Sequence, residues 1–317
     1  SDTGAAGLTL SGGFGRLGRR FGLACDNVAS FDLVTADGRL LRASDDENRD
    51  LYWGLRGGGG NFGVVTSIEY RLHAMNPIVI GGFIGWPWDQ ARDAARFFRD
   101  VAVDAPETVN LLPQWFWYEG TPVFGVGVCW SGDHAEGEAW LKPLRTFGKP
   151  AMDEIGPMPY VALQSSADAY APHGIRSYAK NGFLGSLTND GIDLIMDVLT
   201  RTPGLYDIFC DHCGGAYSRV ARDATAFPRR DMAFVLAIWS GWPTSDGIEE
   251  KVAQMRAAWR ELAPLTQGLY TNYVGTDTAA TAYRESYGEN LERLVAVKAK
   301  YDPMNLFRLN ANVPPKV

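Results

Sequence analysis

The strongest constraint on this chain is an order of elements that occurs twice between Pro77 and Gly275. The first pass runs from a strand at 78–86 into a helix at Trp88–Val103, where Ala91, Ala94, Ala95, Phe98 and Val101 share one face. Strands at 110–117 and 123–130 follow, then a helix over His134–Thr146. After a proline-rich stretch the order returns as strand Arg176–Leu184, helix Asn189–Arg201, strands at 205–213 and 232–239, and a helix at 246–262. In that last helix Ile248, Val252, Met255, Trp259 and Leu262 are spaced by alternating steps of four and three, which makes one apolar stripe. Two successive strand–helix–strand–strand–helix units predict one broad antiparallel sheet with its helices on a single face. The other face is then free to wall a pocket.

The two ends have a different texture. Residues 1–15 are dense in glycine, and no element precedes them to turn from. Glycine serves where the backbone takes a positive φ or approaches another group closely, so this opening reads as a cut inside a domain. Asp37-Gly38, between Phe31, Leu33, Val34 and Leu40, Leu41, predicts a hairpin. Ser44 or Asp45 then caps a helix through Leu51, Tyr52 and Leu55, which stops at the glycine run Gly57 to Gly60. A strand-like segment at 62–72 follows. Near the other end a helix at 286–299 aligns Leu291, Leu294 and Val297 and stops at Asp302-Pro303, because proline restricts the residue before it. An extended tail, 309–315, closes the chain. These textures divide the sequence into 1–76, 77–275 and 276–317.

A chain of 317 residues that is 46% hydrophobic and 21% charged can bury the cores of two domains without cross-links. Its formal net charge of −7 argues against a nucleic-acid partner, since phosphate binding rests on clustered Lys and Arg. No run of ~18 apolar residues is present to span a membrane. Four cysteines, Cys25, Cys129, Cys210 and Cys213, are too sparse for a disulfide framework. The single C-x-x-C at Cys210 and Cys213 lacks the second ligand pair a metal site needs, so it reads as buried strand cysteines. A small-molecule ligand is expected, and a cytoplasmic setting is favoured.

Three stretches together resemble the berberine-bridge-enzyme-like family, within the vanillyl-alcohol-oxidase flavoprotein group. The first is Gly4-Ala5-Ala6-Gly7-Leu8-Thr9-Leu10-Ser11-Gly12-Gly13-Phe14-Gly15, with Gly22-Leu23-Ala24-Cys25-Asp26-Asn27-Val28 after it. The second is Asp50-Leu51-Tyr52-Trp53-Gly54-Leu55-Arg56, continuing through Gly57-Gly58-Gly59-Gly60-Asn61-Phe62-Gly63-Val64-Val65-Thr66. The third begins at Tyr287-Gly288-Glu289-Asn290 and runs through Lys298-Ala299-Lys300-Tyr301-Asp302-Pro303 to Asn310-Ala311-Asn312-Val313-Pro314-Pro315. The resemblance spans nearly the whole chain. It implies an α+β fold: the second half of a split FAD-binding domain at 1–76, a substrate domain at 77–275, and a C-terminal segment, 276–317, that returns to the flavin domain. The implied activity is that of an FAD-dependent oxidase or dehydrogenase, transferring a hydride from an alcohol, amine or sugar-like substrate to the flavin. The family's first flavin subdomain, with its pyrophosphate loop and flavin-anchoring histidine, has no match here, so the chain alone is expected to be inactive. The alternative is a flavin-free binding module that keeps the substrate sheet.

The resemblance also implies site residues. Gly12, Gly13, Gly15, Gly58, Gly59 and Gly60 lack side chains, so their amides are expected to approach phosphate and flavin oxygens. Phe62, Gly63 and Val65 match the adenine side. Asp26 and Asn27 either cap a turn or touch the cofactor. Tyr287, Asn290, Asn310 and Asn312 are implied contacts of the flavin ring system. In Leu269-Tyr270-Thr271-Asn272-Tyr273-Val274-Gly275 the resemblance makes Tyr273 the proton acceptor, although a phenol with a pKa near ~10 needs help. The other reading of Tyr273 is a tyrosine packed in the last strand. A second base found in some members is a carboxylate on the strand matching 234–239, which here is wholly apolar. Gln114, Trp115, Tyr118 and His212 either face the pocket or serve the fold.

Overall fold

The computed structural model describes residues 4–274, 277–278, 280–309 and 311–316, with the backbone alone at 280 and 281. The described residues form two compact units. One, the sheet unit, comprises Met75–Cys213 and Met232–Gln267; the other, the glycine-rich unit, takes the described parts of Thr3–Ala74, Gly214–Asp231 and Gly268–Val317. Two pieces of the stretch expected to be one substrate domain, Gly214–Asp231 and the residues after Gln267, thus cluster with the chain ends.

The glycine-rich unit opens with α1 (Ala5–Leu10) and α2 (Gly18–Phe21), followed by β1 (Val28–Val34), β2 (Leu40–Ser44), α3 (Arg49–Leu55) and β3 (Val64–Tyr70). The sheet unit then runs β4 (Ile78–Pro87), α4 (Trp88–Val103), β5 (Val109–Tyr118), β6 (Thr121–Trp130) and α5 (His134–Thr146). Short strands β7 (Met152–Asp153) and β8 (Gly156–Pro159) and helix α6 (Tyr160–Ser165) precede β9 (Arg176–Leu184), α7 (Asn189–Arg201) and β10 (Asp207–His212). One turn, α8 (Ala216–Arg219), belongs to the glycine-rich unit, before β11 (Phe234–Trp242) and α9 (Ile248–Leu262) complete the sheet unit. Helices α10 (Ala280–Tyr287) and α11 (Leu291–Tyr301) follow.

The expected antiparallel sheet is present, eight-stranded, in the order β7-β4-β6-β5-β10-β11-β9 with β8 paired to β4. Its registers put alternate residues on one face: Val109, Leu111 and Trp115 of β5, Phe124, Val126 and Val128 of β6, Ile208 and Cys210 of β10, Leu236 and Ile238 of β11. These share one apolar core with Ala94 and Phe98 of α4, Leu141 of α5, Ile195 of α7 and Met255 of α9. The four long helices therefore cover one face. Two are capped by a side chain: Asp133 accepts the N–H groups of Ala135 and Glu136, and Thr188 accepts that of Gly191. On the other face Gln114, Phe209, Ala237 and Asn181 stand in register across four strands.

The glycine-rich unit has short elements and different bonds. Its sheet, β2-β1-β3, contains the expected hairpin, with Gly38 at φ 80° in the turn. The expected C-terminal helix is interrupted by a 3-10 turn at Gly288–Asn290, and α11 packs Leu294 and Val297 into a core with Leu51, Tyr52, Leu55 and Phe62. Gly58 lies so close beneath that a Cβ there would sit 2.8 Å from Leu294 Cδ2. Lys298 is wholly buried; its Nζ donates to Asp302 Oδ2 at 2.6 Å, Asn61 O at 2.8 Å and Phe307 O at 2.7 Å. Burial drives the Lys298 pKa down, while at Asp302 burial is outweighed by Lys298 and two backbone amides, which hold that carboxyl below its usual range. Asn61 adds the tail to this knot by donating to Ala311 O and accepting from Val313 N–H.

Candidate functional site

A cleft of about 390 Å³ opens in the glycine-rich unit. Gly7, Leu10 and Ser11 form one wall, Gly59 and Gly60 the second, and Thr271, Asn272 and Val274 the third; Tyr283, Leu309 and Ala311 complete it. The geometry of Gly59 suits such a place. Its φ is 72°, which disfavours a side chain, and a Cβ there would find only Ser11 Oγ at 3.6 Å and Asn61 Nδ2 at 3.8 Å.

Three other glycines are held by close packing, whereas Gly15 has open space where a Cβ would stand. A Cβ on Gly12 would strike the Phe227 ring at 2.8 Å, on Gly13 the Ala24 methyl at 2.5 Å, on Gly63 the Val34 carbonyl at 2.6 Å. Their smallness serves close packing. Their amides are engaged inside the chain as well: Gly12 donates to Thr9 O, Gly13 to the Tyr270 hydroxyl, Gly15 to the Tyr217 hydroxyl, Gly58 to Gly54 O and Gly59 to Leu10 O. The expected donation from these five amides to cofactor oxygens is replaced by internal bonding, because each turn needs its own acceptor.

Asp26 is taken by an ion pair. Its two oxygens receive Arg230 Nη1 and Nη2 at 2.8 Å each, and Arg230 also reaches Thr225 Oγ1 at 2.6 Å. Burial opposes the charge on Arg230, but Asp26 outweighs it and the guanidinium pKa rises. Asn27 donates to the carbonyls of Phe21 and Leu23, and Asn290 to those of Arg222 and Thr225. Tyr287 is buried, with its hydroxyl 3.4 Å from Gly58 O and its pKa pushed up by burial. Phe62 is wholly buried in the core, and Val65 packs on its edge. Asn312 is half-buried in the tail, with its Oδ1 enclosed and unpartnered. Asn310 lies outside the described residues. Of the sheet candidates, Gln114 is on the face opposite the long helices, Trp115 and His212 are on the helix side, and Tyr118 is exposed at the end of β5.

Tyr273 is in a 3-10 turn, Thr271–Tyr273, where a strand residue was the alternative. It is half-buried, and its ring meets that of Tyr270 edge-on at 5.0 Å. Sequence reasoning passed over Tyr270, the residue that ties this turn to the glycine loop. Phe14, Tyr217, Phe227, Tyr270 and Tyr273 form one aromatic cluster beneath that loop. No local signal marks it, since its members come from three distant segments. Among the described residues no group of three His, Cys, Asp or Glu side chains is placed to hold a metal, and the four cysteines are buried thiols. No helix among them is long and apolar enough to cross a membrane.

Residues 269–314, which contain the Tyr270–Tyr273 turn and α11, match the family model described as berberine and berberine like. An FAD-linked oxidoreductase of Dictyostelium discoideum is 30% identical over 99% of this chain and 69% of its own length. The chain belongs to the berberine-bridge-enzyme-like FAD-linked oxidoreductases. This oxidoreductase is also 28% identical to the chitooligosaccharide oxidase of Gibberella zeae, over 99% of the chain and 68% of the relative. The solved 6-hydroxy-D-nicotine oxidase of Arthrobacter nicotinovorans superposes with a TM-score of 0.84 at 26% identity, covering 98% of this chain and 71% of that one. The α+β architecture is the family's, and the cofactor is FAD. The cleft suits part of such a molecule: it is lined by the side-chain-free Gly59 and Gly60, by apolar Leu10 and Val274, and by polar Ser11, Thr271 and Asn272.

Proposed function

We propose that the glycine-rich unit carries the flavin, that the sheet unit is the substrate domain, and that Tyr273 accepts the proton of an alcohol, amine or sugar-like substrate. In domain terms, 1–76 and 276–317 serve the cofactor and 77–275 the substrate, with Gly214–Asp231 and the residues after Gln267 contributing to the cofactor side. The observation that carries this reading is the cleft itself, where glycine backbone faces the turn that bears Asn272 and Tyr273. The oxidases named above, for a chitooligosaccharide and a hydroxynicotine, support the sugar-like and amine classes.

FAD, when bound, accepts the hydride from the substrate carbon. Gly59 and Gly60, which line the cleft, are the residues that would hold it most directly, by close approach of the backbone; Asn312, with its oxygen enclosed in the neighbouring tail, stands behind that wall. Gly12, Gly13, Gly15, Gly58, Gly63, Phe62, Val65, Asp26, Asn27, Tyr287 and Asn290 shape and stiffen the surrounding walls. Tyr273, ionised, takes the proton from the substrate O–H or N–H at its phenolic oxygen. The rate of flavin reduction therefore rises with pH until that phenol is ionised. Anaerobic mixing of the complete, flavin-loaded enzyme with alcohols, amines and oligosaccharides tests the reading: one class should bleach the flavin absorbance. A flavin that stays oxidised with every class would overturn it.

A further inference from the structure

Tyr270 is almost wholly buried, yet three N–H groups converge on its hydroxyl oxygen. Gly13 N–H reaches it at 3.2 Å, Phe14 N–H at 3.3 Å and Asn272 Nδ2 at 2.6 Å. The Asn272 amide is oriented by a second bond, Nδ2 to Leu8 O at 3.1 Å; the flipped amide would set Oδ1 against that carbonyl. The phenol oxygen is therefore the acceptor. It joins two consecutive amides of the glycine loop to the side chain beside Tyr273. The Tyr270 ring meets Phe14 edge-on at 4.8 Å and Tyr273 at 5.0 Å, contacts that restrict how the second ring turns. The backbone adds one more tie, Tyr273 N–H to Tyr270 O at 3.1 Å.

We propose that Tyr270 is a positioning residue for the proton acceptor: it locks the Thr271–Tyr273 turn onto the glycine loop and sets the direction of the Tyr273 phenol. The proposal rests on the reading of Tyr273 as the base. A strut of this kind acts through geometry, since small misplacement of a reacting group costs up to about 100-fold in rate.

The test is Tyr270→Phe, which keeps the ring and its edge contacts but removes the acceptor. In the flavin-loaded enzyme, flavin reduction should slow by about 10- to 100-fold, with KM and FAD affinity little changed. The apparent pKa governing reduction should move relative to wild type. In the chain without flavin, amide exchange at Gly13 and Phe14 should quicken, because both lose their acceptor. Asn272→Ala removes the shortest of the three bonds and should act in the same direction; it carries the test if Tyr270→Phe does not fold. The double variant should be less slow than the product of the two single effects, because the Asn272–Tyr270 bond is common to both. Tyr273→Phe separates the two readings. If it slows reduction while Tyr270→Phe leaves rate and pH profile unchanged, the positioning role is wrong and the base stands. If Tyr270→Phe weakens FAD binding and melting but not the rate per bound flavin, Tyr270 is structural only and the proposal fails. If Tyr273→Phe reduces at the wild-type rate, the base reading fails and the role of Tyr270 with it.

Discussion

The two units are held together by different physics. The sheet unit has long regular elements and a large apolar core in which Trp86, Phe98, Trp115 and Phe124 are wholly buried. Two of its strand pairs, β5 with β6 and β10 with β11, join successive strands, and its apolar faces come from regular alternation along each strand. The glycine-rich unit gathers three distant segments through directional bonds: Asp26 to Arg230, Lys298 to Asp302 and Asn61, and Tyr270 to Gly13. Apolar packing tolerates substitution of similar volume, whereas buried charges and amides demand particular partners. The glycine-rich unit, proposed to carry the flavin, is the one built from such partners.

The largest expected effect breaks the glycine-rich unit at its buried ion pair. Lys298→Met strands the Asp302 carboxylate and two carbonyls, and should cost about 3–5 kcal/mol in denaturant unfolding. Phe98→Ala should cost a similar ~3–5 kcal/mol in the sheet unit by opening a cavity. The comparison is sharpened by rescue. Lys298→Met combined with Asp302→Leu should recover much of the loss, because no lone charge remains buried; failure to recover would show that the knot works by more than charge pairing.

A pH experiment tests the sheet unit at its one large titration shift among the described carboxyls. Asp207, in register with Trp239, is pushed up to about 7 by burial. A carboxyl whose folded pKa is raised favours the protonated form, so stability should fall as pH rises from about 4 to 7. Asp207→Asn should then be more stable than wild type at pH 8 by up to about 4 kcal/mol and indistinguishable from it at pH 3. Equal stabilities at pH 8 would refute the shift. Asp302 has the opposite sign: its lowered pKa contributes stability above its usual pKa of 3.8, which is lost as pH falls through its folded value. The glycine-rich unit should therefore be the acid-labile one, as read by exchange of the Leu306 and Phe307 amides.

The smallest effect is local. Asp133→Ala removes the cap from α5 and should cost about 1 kcal/mol in thermal melting, without altering flavin binding. A change in flavin affinity would contradict the separation of roles between the units.

How much was legible follows the same division. The helices Trp88–Val103, His134–Thr146 and Asn189–Arg201 begin and end where the sequence pattern places them, because that signal is local. The glycine runs were visible, but their purpose was not. Gly12 is small because Phe227 lies against it, and Gly18 because of Tyr217, whose hydroxyl would be 1.6 Å from a Cβ. Those partners are about two hundred residues away in sequence, in a segment that reads as a loop between strands. Asp26 met the same fate, since nothing near it announces Arg230. Tyr273 is singled out by resemblance alone, while Tyr270, three residues earlier, becomes a candidate only once Gly13, Phe14 and Asn272 are brought around its oxygen.

The central claim is that Tyr273 takes the proton while the flavin takes the hydride. Rapid-mixing reduction of the complete, flavin-loaded enzyme, compared with Tyr273→Phe under anaerobic conditions, tests it most directly. The variant should bind FAD as the wild type does and reduce it about 10²–10⁴-fold more slowly, with the rise in rate at high pH abolished. Reduction at the wild-type rate, with the pH dependence intact, would contradict the account.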